Sequence, residues 1–371
     1  MKKGLKIGLF IGDKHYDVVK REMLLTGQML SKDSLEFVLI GRKKGEPYKK
    51  AKHSGLHRIG LGKSSVRNDF NASLRFANTL REEGISTLIF RDHKETGLLV
   101  TTKFLMKGRL RLIYIQDRPL AEMKRDFLHT FRFNQIDAWL TPLNHTATDV
   151  KRGTNLDHSK VHVIPIPISR KQFDFSDEER HKAKTQLFPN DSDPKIIGWH
   201  VPDEVGFIET TGKVLTELLK VHSDVRLSLN GSAGSIDYLK EKIPDLFVDE
   251  HRIVISSYQV YDPQFYMGLD ACMVDPELEP FLGVAYRTLL SGILPISRKC
   301  LIGNELFDNG KYSVEYGNGS SLSDDDLMTL HLQNGALPNS RKHIGKRLTK
   351  KRFKENLEAL INALPKKSVA R

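Results

Sequence analysis

Cysteine is scarce: the 371 residues carry only two, Cys272 inside an apolar run and Cys300 just after a basic pair. Two such positions give neither a disulfide framework nor metal-ligand spacing, so a reducing cytoplasm is the expected setting and no metal ligand is assigned. No apolar run approaches the ~20 residues needed to cross a bilayer. The opening stretch, 1–12, interrupts its apolar character with glycines and an early lysine, so it reads as a first strand and not as a signal peptide. The fourteen histidines contain no HExxH spacing, and no GxxxxGKS or GxxxxGKT phosphate loop occurs.

What is present is an ordinary soluble composition, 39% hydrophobic and 28% charged. A chain of this length exceeds the size at which one core stops growing, which makes two domains of roughly 150 to 200 residues the expectation. The net charge of +12 is unevenly placed: residues 341–371 hold eleven Lys or Arg against two Glu, a net of +9 that leaves +3 for the rest. A second basic cluster occupies 42–52. Such patches suit anionic lipid headgroups or nucleic-acid phosphates, and equally the solvated face of a helix.

Along the chain, apolar strands alternate with segments of helical spacing. In the N-terminal half strands are expected at 5–12, 35–41, 86–90, 111–116 and 137–141, with helices at 16–30, 70–81, 97–106 and 120–131, before the closing run at 161–168. Residues 169–194 turn charged and turn-forming, and read as a linker. Alternation resumes with strands at 195–198, 225–231, 251–255 and 271–274 and helices at 211–219, 236–242, 263–268 and 286–291. The expectation is an α/β protein: a Rossmann-like domain at 1–168, a linker at 169–194, a second Rossmann-like domain at 195–343, and a basic C-terminal helix and tail at 344–371. Two doubly wound parallel sheets facing each other across a cleft follow from this alternation, with ligands beyond the carboxyl ends of the strands.

One stretch, 279–292, reads Glu-Pro-Phe-Leu-Gly-Val-Ala-Tyr-Arg-Thr-Leu-Leu-Ser-Gly. A strand end, a glycine-containing turn and a helix start present free backbone N–H groups and the positive end of a helix dipole, which suits a diphosphate. Three segments carry a resemblance. Residues 161–173, VHVIPIPISRKQF, are similar to the segment closing the first domain of the retaining family 4 glycosyltransferases of GT-B fold. Residues 270–276, DACMVDP, resemble that family's strand preceding the donor motif, and 279–295 resemble the donor motif itself, E-x-F-G-x-x-x-x-E-A-x-x-x-G-x-P.

The resemblance implies a nucleotide-sugar co-substrate, no bound cofactor, and a donor site formed by Phe281, Leu282, Gly283, Val284 and Arg287, with Glu279 contacting the transferring sugar. It also marks departures. Arg287 stands where the family has a second carboxylate, and it has no acceptor for a ribose hydroxyl. In the loop 198–206, GWHVPDEVG, Trp199 and Val205 replace the Arg and Lys that hold the diphosphate, while Gly206 keeps its place. Each lost cation removes charge-assisted hydrogen bonds worth roughly 1.5 to 3 kcal/mol. Arg287 is read as a substitute cation and His200 as a donor. Trp199 suits stacking on a base or filling a gap, and Gly231 reads as a donor contact or as any βα turn. Gly12 alone remains of a glycine pair after the first strand. Asp117 is the acid–base candidate after the strand at 111–116, or else a cap for the next helix.

Three readings stay open: a retaining glycosyltransferase acting on a glycan, lipid-linked or protein acceptor; a degenerate relative serving as scaffold or co-chaperone of a transferase; and a nucleic-acid-modifying glucosyltransferase held by the basic tail. For the first, a cytoplasmic protein docked peripherally on an anionic membrane through Lys346, Arg347, Lys350, Lys351 and Lys354 is the expectation.

Overall fold

The computed structural model describes residues 5–31, 35–62, 70–116, 118–203, 205–256, 261–278, 282–316 and 338–364. The chain divides into two units, one of Met1–Ile168 with Lys350–Arg371 and one of Ser169–Thr349.

The first unit is built on a seven-stranded sheet. Its strands are β1 (Leu5–Ile11), β2 (Leu35–Arg42), β3 (His57–Leu61), β4 (Thr87–Phe90), β5 (Arg111–Ile115), β6 (Ala138–Thr141) and β7 (Val161–Val163), in the order β3-β2-β1-β4-β5-β6-β7. Every pairing is parallel. Strands buried on both faces need continuous apolar runs, and β4 and β6 are buried at every residue. The core on one side gathers Phe10, Val38, Phe76, Leu88, Leu112 and Trp139.

The second unit carries six parallel strands, β8 (Lys195–His200), β9 (Val225–Asn230), β10 (Ile253–Ile255), β11 (Ala271–Val274), β12 (Leu294–Arg298) and β13 (Val314–Tyr316). Their order is β10-β9-β8-β11-β12-β13. Both sheets are doubly wound, as the alternation implied.

Three local expectations change. Residues 169–194, read as a linker, form part of the second unit: Ser176 and Glu179 make a reciprocal capping box that starts a helix at Asp177–Leu187, and Lys184 pairs with Asp270 at 2.8 Å. Residues 120–126 are not helical, because the Leu120 N–H goes to Asp149 Oδ2 (2.8 Å) and the Lys124 N–H to the Gly153 carbonyl (2.8 Å). The helix there runs Phe127–Asn134, from the cap in which Asp126 Oδ1 accepts the His129 N–H at 3.0 Å. The expected single C-terminal helix is two, Pro338–Gly345 in the second unit and Lys350–Ala363 in the first. Leu348, in the break between them, and Phe353, Leu357 and Ile361 on the second helix are buried.

Candidate functional site

In the second sheet the strand order reverses between β8 and β11, and ligands in open α/β sheets sit at the carboxyl ends framing such a point. His200 ends β8 with its Nδ1 3.3 Å from Asn230 Oδ1. Burial lowers the His200 pKa, against smaller opposing effects of Asn230 and Asp203, so the ring is neutral at pH 7 and holds one donor and one acceptor. The loops after β8 and β9 are tied together. The Val201 N–H donates to the Asn230 carbonyl at 2.7 Å, and Ser232 Oγ donates to Asp203 Oδ1 at 2.7 Å. Gly231 lies where they cross, since a Cβ there would sit 3.1 Å from the Val201 carbonyl oxygen and 3.0 Å from Ser235 Oγ. Gly206, in the first turn of the helix Val205–Val221, has open space where its Cβ would be, so a ligand can approach its backbone.

The loop after β11 delivers the helix Gly283–Ser291, whose nine residues are all buried. Its cap residue Leu282 sits in the left-handed region at φ 55°, ψ 34°, and makes no side-chain cap bond. That conformation costs a leucine about 1–2 kcal/mol, and glycine adopts it freely. Leu282 is thus a leucine held in glycine-like backbone geometry. Arg287 is 4% exposed, and its Nη1 donates to the Gly283 carbonyl at 3.0 Å. The guanidinium therefore folds back over the first turn of its own helix, adding its charge to the positive end of the helix dipole. Val284, also in that turn, is buried.

Beside it stands a cluster that the motifs did not single out. Arg298, at the carboxyl end of β12, is 3.7 Å from Asp275 Oδ2, bonds Glu277 Oε2, and lies over the Phe207 ring at 5.1 Å. Burial raises the Asp275 pKa, with Arg298 opposing. Burial also pushes the Cys300 thiol up to about 11, which leaves it an unreactive N-cap whose Sγ accepts the Gly303 N–H at 3.3 Å. A cation thus lies over Phe207, two residues beyond Val205 in a loop that lacks one, although two carboxylates already engage it.

The first sheet reverses between β1 and β4. There the Gly12 N–H donates to Glu95 Oε1, and a Cβ on Gly12 would sit 2.6 Å from that oxygen. Burial is the largest of the influences that raise the Glu95 pKa well above a free carboxyl's, followed by Asp92. Asp13 is the opposite case: burial would raise it, yet the hydrogen bond from Lys20 (2.7 Å) and backbone N–H bonds hold it low. Two carboxyls with pKa values pushed apart at one sheet end are the arrangement that acid–base chemistry uses. Sequence spacing gave no sign of Glu95; only the pairing of β1 with β4 brings it to Gly12.

Of the candidates read from the sequence, His200, Gly206, Gly231, Leu282, Gly283, Val284 and Arg287 lie at or near the carboxyl ends of the second sheet, and Gly12 at that of the first. Trp199 is corrected: it is 4% exposed and packs in the core with Ile197, Val214 and Leu227, so it fills space and offers no ring to a base. Glu279, Phe281 and Asp117 lie outside the described residues. A basic hollow of about 500 Å³ lined by Lys311, Tyr312, Lys342, His343 and Lys346 lies toward the amino end of β13, the opposite edge of the second sheet.

No family model matches the sequence, and no curated protein matches it. Solved structures do. A glycosyltransferase from Rickettsia africae ESF-5 superposes with a TM-score of 0.79 at 14% identity, over 97% of this chain and 98% of that one. The fold is GT-B. Anabaena HepE in complex with UDP-glucose matches with a TM-score of 0.76 at 14% identity, over 97% of this chain and all of that one. A UDP-GlcNAc 2-epimerase from Methanocaldococcus jannaschii shares the fold more distantly, with a TM-score of 0.59 at 10% identity over 97% of this chain and 100% of that one. The GT-B frame therefore serves more than one reaction, and the reaction has to be argued from the site.

Proposed function

We propose that this protein is a retaining glycosyltransferase that moves a sugar from a nucleotide-sugar donor to a glycan, lipid-linked or protein acceptor. The observation that carries the reading is the start of the helix Gly283–Ser291: a buried helix N-terminus at the carboxyl end of β11, whose cap residue Leu282 makes no side-chain cap bond, with the Arg287 guanidinium over its first turn. Backbone N–H groups and a cation converging at a strand-end crevice suit the two negative phosphates of a nucleotide sugar. Arg287 stabilises that anion through the helix turn it braces and compensates for the cations absent at Trp199 and Val205. Glu279 contacts the transferring sugar, while Gly206 and Gly231 let the neighbouring loops approach the donor. In the first unit, Glu95 beside Gly12 is a buried carboxyl with a raised pKa, suited to exchanging a proton. The complex of Anabaena HepE, a protein of the same fold, with UDP-glucose supports a nucleotide-sugar donor here.

Incubating the protein with UDP-, GDP- and ADP-sugars and following the sugar by proton NMR tests this. Slow release of free sugar with its anomeric configuration kept, accelerated by an acceptor mixture, is the expected outcome. Epimerised donor with no release would assign the chain to the other chemistry that this fold carries. Absence of both binding and turnover at millimolar donor would leave the scaffold reading.

A further inference from the structure

Among the described residues, thirteen large apolar side chains are exposed, and five of them come from two neighbouring segments of the first unit. Phe104 (52% exposed) ends the helix Thr96–Leu105; Met123 (76%), Phe127 (86%), Leu128 (49%) and Phe131 (46%) follow the carboxyl end of β5. Phe104 and Phe131 stack with ring centroids 6.2 Å apart and planes 18° from parallel, which joins the two segments into one patch. On the helix Phe127–Asn134, Phe127, Leu128 and Phe131 share the outward face, whereas Phe133 is buried edge-on against Trp139 at 5.0 Å. Four large apolar residues in an eight-residue helix would read as a core helix, yet one alone is used in the core.

The patch is held in place and protrudes. The bonds from Leu120 and Lys124 that replace helical ones pin the 120–126 stretch to the helix Asn144–Gly153, and Arg125 adds one to the Arg152 carbonyl. Within a few residues of these side chains in sequence lie Lys107, Arg109, Lys124, Arg125 and Arg132 against Glu122 and Asp126. Asp126 is already engaged by the His129 ring and backbone, so the rim is predominantly cationic.

We infer that this patch docks the protein on a bilayer containing anionic lipids. Aromatic and aliphatic side chains at the apex enter the headgroup boundary, and the cationic rim meets lipid phosphates, the division of labour of interfacial amphipathic helices. An exposed apolar patch flanked by charge of one sign complements an anionic surface. The attachment belongs to this surface, not to the basic tail, where the helix Lys350–Ala363 spends its apolar face on the core of the first unit. The helix Thr96–Leu105 follows β4 and so ends at the amino edge of the first sheet, where Lys124 also bonds the Gly153 carbonyl at the end of the helix after β6, so docking presents that edge to the membrane.

Flotation of the full chain with vesicles of phosphatidylcholine and with vesicles containing 30% phosphatidylglycerol tests the inference. The wild type is expected to float with the anionic vesicles and to be released by 0.5 M salt. Met123→Ser with Phe127→Ser should cut partitioning at least tenfold without moving the melting temperature or nucleotide-sugar binding, while Lys351→Ala with Lys354→Ala should retain most of it. Equal flotation of the serine variant, loss only in the tail variant, or a wild-type dimer that the serine variant dissolves would each overturn it. Donor binding is read on the same samples, so failure of the membrane surface and failure of the transferase reading are separable.

Discussion

Leu282 gives a stability test in which the residue at the candidate phosphate-binding turn reverses an ordinary ranking. In helix and strand interiors alanine is preferred to glycine by roughly 0.5–1 kcal/mol, because glycine loses more freedom on folding. Leu282 has φ 55° and is 3% exposed. Truncating it to either residue forfeits its burial, a loss of about 2–5 kcal/mol common to both variants. They differ in the backbone: Leu282→Ala keeps the left-handed penalty of about 1–2 kcal/mol, and Leu282→Gly does not. The glycine variant should therefore be the more stable by about 1 kcal/mol. With a urea slope of about 2–3 kcal/mol per molar, its midpoint for the second unit should lie roughly 0.3–0.5 M higher. Equal midpoints, or alanine ahead of glycine, would show that the turn relaxes and that the geometry presenting the helix N-terminus is not the one described.

Two further outcomes follow. Glu95 has a folded-state pKa raised above its free value of 4.5, so its contribution to stability is full below that value and is lost as pH rises through the raised one. Glu95→Gln should flatten the fall in melting temperature between pH 5 and 8, and a parallel fall in both proteins would remove Glu95 as a buried titrating group. Gly231→Ala forces a Cβ to 3.1 Å from the Val201 carbonyl oxygen, which should cost about 1–3 kcal/mol and weaken donor binding, as calorimetry and thermal melts on one sample can measure.

The fold was legible because parallel strands buried on both faces leave uninterrupted apolar runs; the expected strand at 271–274 is β11 residue for residue. What failed to show is equally physical. β12 contains Pro295, which argues against a strand, but pairing with β13 begins only at Ile296, so the missing N–H costs that ladder nothing. β3 exposes much of its length and reads as polar. Helical spacing at 120–131 misled because side-chain and carbonyl acceptors from the helix Asn144–Gly153 capture the N–H groups of Leu120 and Lys124, and such partners are invisible in a linear pattern. Within the site, the motif located the helix start and Arg287, read as a substitute cation, but gave no sign that its guanidinium turns back to the Gly283 carbonyl. Glu95, Asp275 and Arg298 have no local signature, since each acquires its role from a strand neighbour distant in sequence.

The central claim is that the turn at Leu282 and Gly283, braced by Arg287, holds the diphosphate of a nucleotide sugar. Calorimetric titration of UDP-glucose into the wild type and into Arg287→Met, which keeps length and removes charge, tests it most directly. The account predicts saturable wild-type binding and a Kd at least tenfold weaker in the variant, a change of about 1.4 kcal/mol, with little change in melting temperature. An unchanged Kd in a folded variant, or a wild type that binds no UDP-, GDP- or ADP-sugar at millimolar concentration, would contradict it.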